Sequence, residues 1–230
     1  MSASGASGAS GMTGPLLVLV RHGQTDSNVL KSLDTLPPGP PLNELGFAQA
    51  EALGKVMAVE PVTAVYASTA VRAQQTAAPL AARLDLPVQV VPGIHEVFCG
   101  DLEGRSDQAA RELFDEVYDA WAKGDLARRL PGGESALGLR ARFLPVVAEL
   151  WARHAGTPDR LLVVVSHGAA IRLAAGALIG EYADTRYVPN AGRVVLAPVD
   201  DGPDGAAGWL LKSWDEGSPV PGDATGGAGE

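Results

Sequence analysis

Two histidines and two arginines stand where this chain could bind an anion. Arg21-His22-Gly23-Gln24-Thr25-Asp26-Ser27-Asn28 follows directly on the apolar run Leu16–Val20, and Ser166-His167-Gly168 follows on Leu161–Val165. An imidazole with an ordinary pKa of about 6.5 is neutral and nucleophilic near pH 7. An adjoining arginine offers a planar fork of donors that matches phosphate oxygens. Taken singly, each histidine reads as a loop residue beside a turn glycine. Taken together, with Arg21 next to His22, they point to an anion site. A third segment, Ser68 to Ala77, places Arg72 in the first turn of an expected helix. A cation is disfavoured at that end of the helix dipole unless it faces an anion shared with the helix terminus. On its own, Arg72 reads more simply as the partner of a nearby acid.

These groups need strands to hold them. Leu16–Val20 and Leu161–Val165 are unbroken and β-prone, the pattern of strands covered on both faces of a parallel sheet. Thr63–Ala67 is a third strand, with Arg193–Leu196 and Trp209–Leu211 as later ones nearer the edges. That makes a sheet of about five strands. Between them, Asn43 caps a helix with Leu45, Ala48, Ala52 and Val56 on one face, and Ser68 caps another running to about Arg83. The alternation predicts a three-layer α/β/α sandwich with a central, mostly parallel sheet and a ligand site beyond the carboxyl ends of its strands. If the first strand neighbours the 161–165 strand, both imidazoles face one crevice.

Bulk properties narrow the classes. The 230 residues, 46% of them hydrophobic, suffice for one globular domain. A formal charge of −9 argues against nucleic acid or anionic lipid as a partner, so any anion site must be a local basic pocket. The single cysteine, Cys99, can form no internal disulfide, and no signal-like or membrane-spanning run is present; a cytoplasmic protein is expected. Residues 1–14 and 215–230, rich in small residues, Pro and acid, read as flexible tails around a domain at 15–214. A homodimer is the symmetric default.

The motifs resemble those of the histidine phosphatase superfamily, which also holds the cofactor-dependent phosphoglycerate mutases. The matching segments are Arg21 to Asn28, Leu42 to Ala50, Ser68 to Thr76, Glu96 to Gly104, Pro131 to Ser135 and Ser166 to Gly168, in the family's order. Leu36-Pro37-Pro38-Gly39-Pro40-Pro41 departs from the family pattern at one rim. The resemblance implies that His22 is a nucleophile forming a phosphohistidine, without metal or other cofactor, on a small phosphorylated metabolite. It implies Glu96 as general acid, where composition cannot choose among His95, Glu96, Asp101 and Glu103. It implies catalytic roles for Arg21, Arg72 and His167, with Asn28 and Gly168 joining Arg21, Arg72 and His167 around the phosphate. His167 is expected to be protonated once a phosphate dianion is present.

A mutase needs further cations for a second phosphate, and after Glu96 comes Val97-Phe98-Cys99, without a cation before Arg105. Hydrolysis is therefore preferred to phosphoryl return, and a non-catalytic phosphate-binding module is the remaining alternative. Residues 105–131 read as a cap. There Tyr118 and Trp121, with Phe98 before the segment, could shape the substrate rim, and Arg128 and Arg129 could attract a second anion. Cys99 reads as packing, Glu103 as a loop anchor, and His154 as a helix-end residue favoured by the dipole.

Overall fold

The computed structural model describes residues 14–199 and 208–215. Six strands form one sheet: β1 (Leu16–Arg21), β2 (Val62–Ala67), β3 (Val88–Val90), β4 (Leu161–Ser166), β5 (Arg193–Val199) and β6 (Gly208–Trp214). Their spatial order is β3-β2-β4-β1-β5-β6. Strands β1 to β4 run parallel, β5 lies antiparallel on β1, and β6 lies antiparallel on β5. The helices are α1 (Asp26–Val29), α2 (Glu44–Met57), α3 (Val71–Arg83), α4 (Gln108–Ala122), α5 (Ala136–Arg153) and α6 (Gly168–Leu178).

Alternate residues of the central strands enter two cores. Leu17, Leu19, Leu162 and Val164 pack with residues of α4, α5 and α6, while Val18, Val20, Val163 and Val165 pack with α2 and α3. Both faces being dry explains why β1 and β4 show no polar alternation. Each such side chain contributes about 1.5–3 kcal/mol on burial. The result is the three-layer sandwich expected, with a mixed sheet.

Several local expectations need correction. The buried face of α2 is Gly46, Gln49, Ala50, Leu53, Gly54 and Met57, not the Leu45, Ala48, Ala52 and Val56 stripe, and Val56 is 56% exposed. Close approach selected small residues here: a Cβ on Gly46 would lie 2.1 Å from the Gln24 carbonyl oxygen, and one on Gly54 would lie 3.0 Å from the Leu80 nitrogen. Asn43 does cap α2, accepting from the Gly46 N–H at 2.9 Å. Ser68 does not cap α3; its N-cap is Ala70, and Ser68 faces β4 instead. The short strand β3, between Pro87 and Pro92, escaped the sequence reading.

The expected tails fall outside the described residues except at their inner ends. Gly14 is buried against Trp151, and Asp215 pairs with Arg193 at 3.0 Å, so both ends are tied to the domain. Within 105–131, α4 turns Val117, Tyr118 and Trp121 into the larger core.

Candidate active site

The site begins in the register of the two central strands. Arg21 on β1 pairs with Ser166 on β4, so the next residues, His22 and His167, leave neighbouring parallel strands at the same level. Their rings lie 5.1 Å apart at 61°. Both are buried. His22 Nδ1 lies 2.7 Å from the Gly23 carbonyl oxygen, which can only accept, so the proton sits on Nδ1 and leaves a lone pair on Nε2. Arg72 Nε donates to that Nε2 at 3.2 Å. Burial first, then Arg72 and Arg21, hold the His22 pKa well below its ordinary value, against a smaller opposing effect of the Gly23 bond. Thus His22 is a neutral imidazole with its Nε2 lone pair toward the arginines.

The loop carrying His22 rests on backbone contact. A Cβ on Gly23 would lie 2.7 Å from the Gly46 oxygen. The Gly23 N–H donates to Thr76 Oγ1 at 2.9 Å, and the Gln24 N–H donates to Gln49 Oε1 at 2.8 Å. Gln75 Oε1 accepts from the Leu42 N–H at 2.8 Å. The motif residues of α2 and α3 therefore act as props for the His22 loop.

Around His22 the donors converge. Arg21 is fixed by Nη1 bonds to the Tyr187 hydroxyl at 2.7 Å and the Val188 carbonyl at 2.8 Å. Arg72 is fixed by an Nη2 bond to the Asp34 carbonyl at 3.0 Å, and the proline-rich rim covers it, since a Cβ on Gly39 would lie 2.2 Å from Nη1. Asn28 Oδ1 accepts from the Thr25 N–H and from Asn190 Nδ2, which turns the Asn28 amide nitrogen outward as the remaining donor. His167 Nε2 bonds Ser68 Oγ at 2.7 Å. Burial, then Arg72, His22, His95 and Arg142, hold the His167 pKa well below the ordinary value, so the ring is neutral before any anion arrives.

Three buried polar atoms in this one place have no hydrogen-bond partner: Arg21 Nε, Arg72 Nη1 and His167 Nδ1. Each would cost about 1–3 kcal/mol if left unsatisfied. An anion bound among Arg21, Arg72 and His167 would bring acceptors to this group of side chains. Arg21 and Arg72 line a cleft of about 210 Å³ together with His22, Asn28, Glu96 and Gly168, and the His167 ring stands 5.1 Å from that of His22.

Glu96 reaches this cleft from the loop after β3. Its Oε1 accepts from the Val97 and Ala170 N–H groups, both at 2.8 Å, and Oε2 accepts from the Ala169 N–H at 3.1 Å. Arg142 clamps the loop behind it, donating to the carbonyls of Gly93, His95 and Glu96 and to both oxygens of Glu134. Glu134, from the Gly-Gly-Glu-Ser turn, also accepts from the Phe98 N–H. Glu103 turns away, accepting from Thr35, Leu36 and Cys99.

Comparison with known proteins agrees with this geometry. The model of the histidine phosphatase superfamily (branch 1) matches residues 17–205. The chain belongs to the histidine phosphatase superfamily. Glucosyl-3-phosphoglycerate phosphatase of Mycolicibacterium vanbaalenii is 33% identical over 225 residues, covering 90% of this chain and 97% of the relative. A mycobacterial glucosyl-3-phosphoglycerate phosphatase solved with VO3 superposes with a TM-score of 0.75 at 30% identity, covering 87% of this chain and 98% of that one. The PE-PGRS family protein PE_PGRS11 of Mycobacterium tuberculosis is 33% identical over 87% of this chain, which spans 36% of that protein's length. Phosphoglycerate mutases also stand among its relatives. The chain is a histidine-type phosphatase.

Some residues expected at the substrate rim of this histidine phosphatase lie elsewhere. Trp121 is fully buried and donates to the Arg128 carbonyl at 2.8 Å, and Tyr118 is buried with its hydroxyl on the Asp184 carbonyl. Phe98 is absent from the cleft walls. Arg128 pairs with Glu116, and Arg129 donates to the Gly133 carbonyl. The aromatic residue at the rim is Phe114, with Arg172, Tyr187 and Val188. Phe114 lies on α4 with its ring stacked on that of Tyr118. Tyr187, Val188 and Asn190 lie in an irregular segment before β5, where no periodic signal marks them. Cys99 is buried, its thiol pushed up to about 12 by burial and by Glu103. His154 does close α5, yet its pKa is lowered, by burial and then by Arg153; these outweigh the helix dipole that suggested a favoured cation there.

Proposed function

We propose that this phosphatase hydrolyses phosphate monoesters of small metabolites in two displacements at His22. In the first, the Nε2 lone pair attacks phosphorus, the ester P–O bond breaks, and the departing oxygen takes a proton from Glu96. In the second, water attacks the phosphohistidine, gives its proton to the Glu96 carboxylate, and the N–P electrons return to Nε2. Glu96 Oε2 accepts only one N–H, so it is the oxygen with room for the proton. Arg21, Arg72 and His167 hold the equatorial oxygens, where fixed donors stabilise the spreading charge. Asn28 and the first N–H of α6, at Gly168, add to them. The arriving dianion raises the pKa of His167 and turns it into a cationic donor.

The observation that carries this reading is three buried polar atoms without a hydrogen-bond partner, Arg21 Nε, Arg72 Nη1 and His167 Nδ1, near the acceptor-only His22 Nε2. The experiment is turnover of para-nitrophenyl phosphate in the presence of chelator, by wild type, His22→Ala and Glu96→Gln. Loss of turnover in His22→Ala is expected; equal turnover would remove His22 as the nucleophile.

The substrate belongs to the class of phosphorylated, sugar-type metabolites, on the strength of the relatives' named activity, and the leaving group is its alcohol. A mutase is the second reading, since mutases are relatives. The apolar Val97-Phe98-Cys99 stretch weighs against it, as does the engagement of Arg128 and Arg129 elsewhere. Cofactor-stimulated isomerisation of 3-phosphoglycerate would favour it. A domain at 15–214, a cytoplasmic location and a homodimer complete the proposal. No helix among the described residues is long and apolar enough to cross a membrane, and sedimentation would decide the oligomeric state.

A further inference from the structure

We propose that Tyr187 is a positioning residue for phosphoryl transfer: by holding one nitrogen of Arg21 it turns another edge of that guanidinium toward the phosphoryl group. The inference rests on the phosphatase reading and adds a residue to the same site. Arg21 donates from Nη1 to the Tyr187 hydroxyl at 2.7 Å and to the Val188 carbonyl at 2.8 Å. A guanidinium can clasp an anion with paired N–H groups along two edges, Nη1 with Nη2 or Nη2 with Nε. Engaging Nη1 closes the first edge. The second stays open, because Nε is buried without a hydrogen-bond partner and Nη2 makes no hydrogen bond among the described residues. Nε faces the start of α6, since a Cβ on Gly168 would lie 3.3 Å from it. The open edge therefore borders the residue that adjoins His167.

The tyrosine is itself held. Its backbone carbonyl accepts from Trp214 Nε1 of β6 at 2.9 Å. Further along, Asn190 Nδ2 donates to the His22 carbonyl and the Ala191 N–H to the Arg21 carbonyl, each at 3.0 Å. Residues 187–191 thus run beside Arg21 and His22 as a strap. One end grips the Arg21 side chain, and the other holds the Arg21 backbone. The ring adds a second hold, with the Arg21 guanidinium carbon 5.3 Å from its centroid. Hydroxyl, carbonyl and ring are neutral, so they orient the cation without cancelling its charge. Tyr187 lines the same cleft as Arg21 and His22. Without its hydroxyl, Nη1 keeps only the Val188 carbonyl, and a long side chain regains rotamers that binding must freeze again. The paired grip then forms less often, and a donor pair fixed in advance is worth most where charge develops.

The test is a double-mutant cycle, read as kcat/KM for para-nitrophenyl phosphate and as the Kd of inorganic phosphate by calorimetry. Tyr187→Phe removes only the hydroxyl. It is expected to lower kcat/KM and to weaken phosphate binding by about 3- to 10-fold, the range of one net hydrogen bond. In the Arg72→Lys background the same loss is expected again, whereas in the Arg21→Met background Tyr187→Phe should change neither quantity further. A role in general structure would give one loss in every background. Wild-type values in Tyr187→Phe would overturn the inference, and so would an equal loss beside Arg21→Met. Tyr187 is 43% exposed, so the phenylalanine protein is expected to fold, which its melting temperature checks. That single variant keeps the inference open to refutation even where Arg21→Met folds poorly. Turnover that persists in His22→Ala would instead defeat the underlying reading, while phosphate binding would still report the grip of Arg21.

Discussion

At the scale of single residues, the chemistry depends on which nitrogen of His22 carries the proton. The Gly23 carbonyl takes the Nδ1 proton and Arg72 Nε points at the Nε2 lone pair, so the proposed nucleophile and the proposed phosphate clamp share one hydrogen bond. Lysine at 72 would retain a charge but could not reach His22, the Asp34 carbonyl and a phosphate oxygen together. We expect Arg72→Lys to lower kcat/KM by about 10²- to 10³-fold, the usual loss for a transition-state donor. Glu96→Gln should slow esters of poorly acidic alcohols by about 10²- to 10⁴-fold and para-nitrophenyl phosphate much less, since nitrophenolate leaves without a proton. A uniform loss across leaving groups would assign Glu96 to loop structure. His22, Arg21, Arg72, His167 and Glu96 were visible in the sequence because they sit at strand ends or in short motifs. Ser68, Tyr187 and Asn190 were not recognised as their partners, since a hydrogen bond across 99 or 168 positions leaves no local pattern.

At the scale of elements, helices serve the site by approaching closely. The Gly23 and Gly46 backbones touch, and a Cβ on Gly46 would strike the Gln24 carbonyl at 2.1 Å. Gly46→Ala must push α2 from the nucleophile loop; the expected cost is about 1–3 kcal/mol in stability, with a fall in kcat as His22 moves. Chemical unfolding and para-nitrophenyl phosphate kinetics check both. The same contact explains why the hydrophobic stripe misled on the α2 face: periodicity rewards large apolar side chains, whereas this interface required small ones. Arg142 does the corresponding work for Glu96, and Glu134 and Arg142 are both largely buried. Arg142→Met strands Glu134 and three loop carbonyls. It is expected to cost about 1.5–3 kcal/mol and to lower kcat more for poor leaving groups than for para-nitrophenyl phosphate. The long parallel strands were legible from unbroken apolar runs, while β3, three residues long, gave too little pattern to see.

At the scale of the molecule, burying neutral histidines couples the site to folding. His22 and His167 have depressed pKa values in the fold, from burial before any other cause. Unfolded, each returns to about 6.5. Below that pH the unfolded chain binds protons that the folded chain refuses, so stability is full above about pH 6.5 and falls as the pH drops toward the folded values. Each histidine contributes up to about 1.4 kcal/mol per pH unit in that window. Urea unfolding should show a loss of about 2 kcal/mol between pH 6.5 and 5.5, and saturating inorganic phosphate should recover part of it; a flat profile would mean the histidines are not held neutral. The overall charge of −9 predicted a local pocket instead of a basic surface, and the converging arginines are such a pocket. The central claim, covalent transfer to His22, is tested most directly by quenching turnover in base and reading the mass of the whole protein and then of its peptides. One added phosphoryl group, located on His22, is expected to form with substrate and to disappear once substrate is consumed. A phosphoryl group on another residue, or steady turnover by the His22→Ala protein, would contradict it.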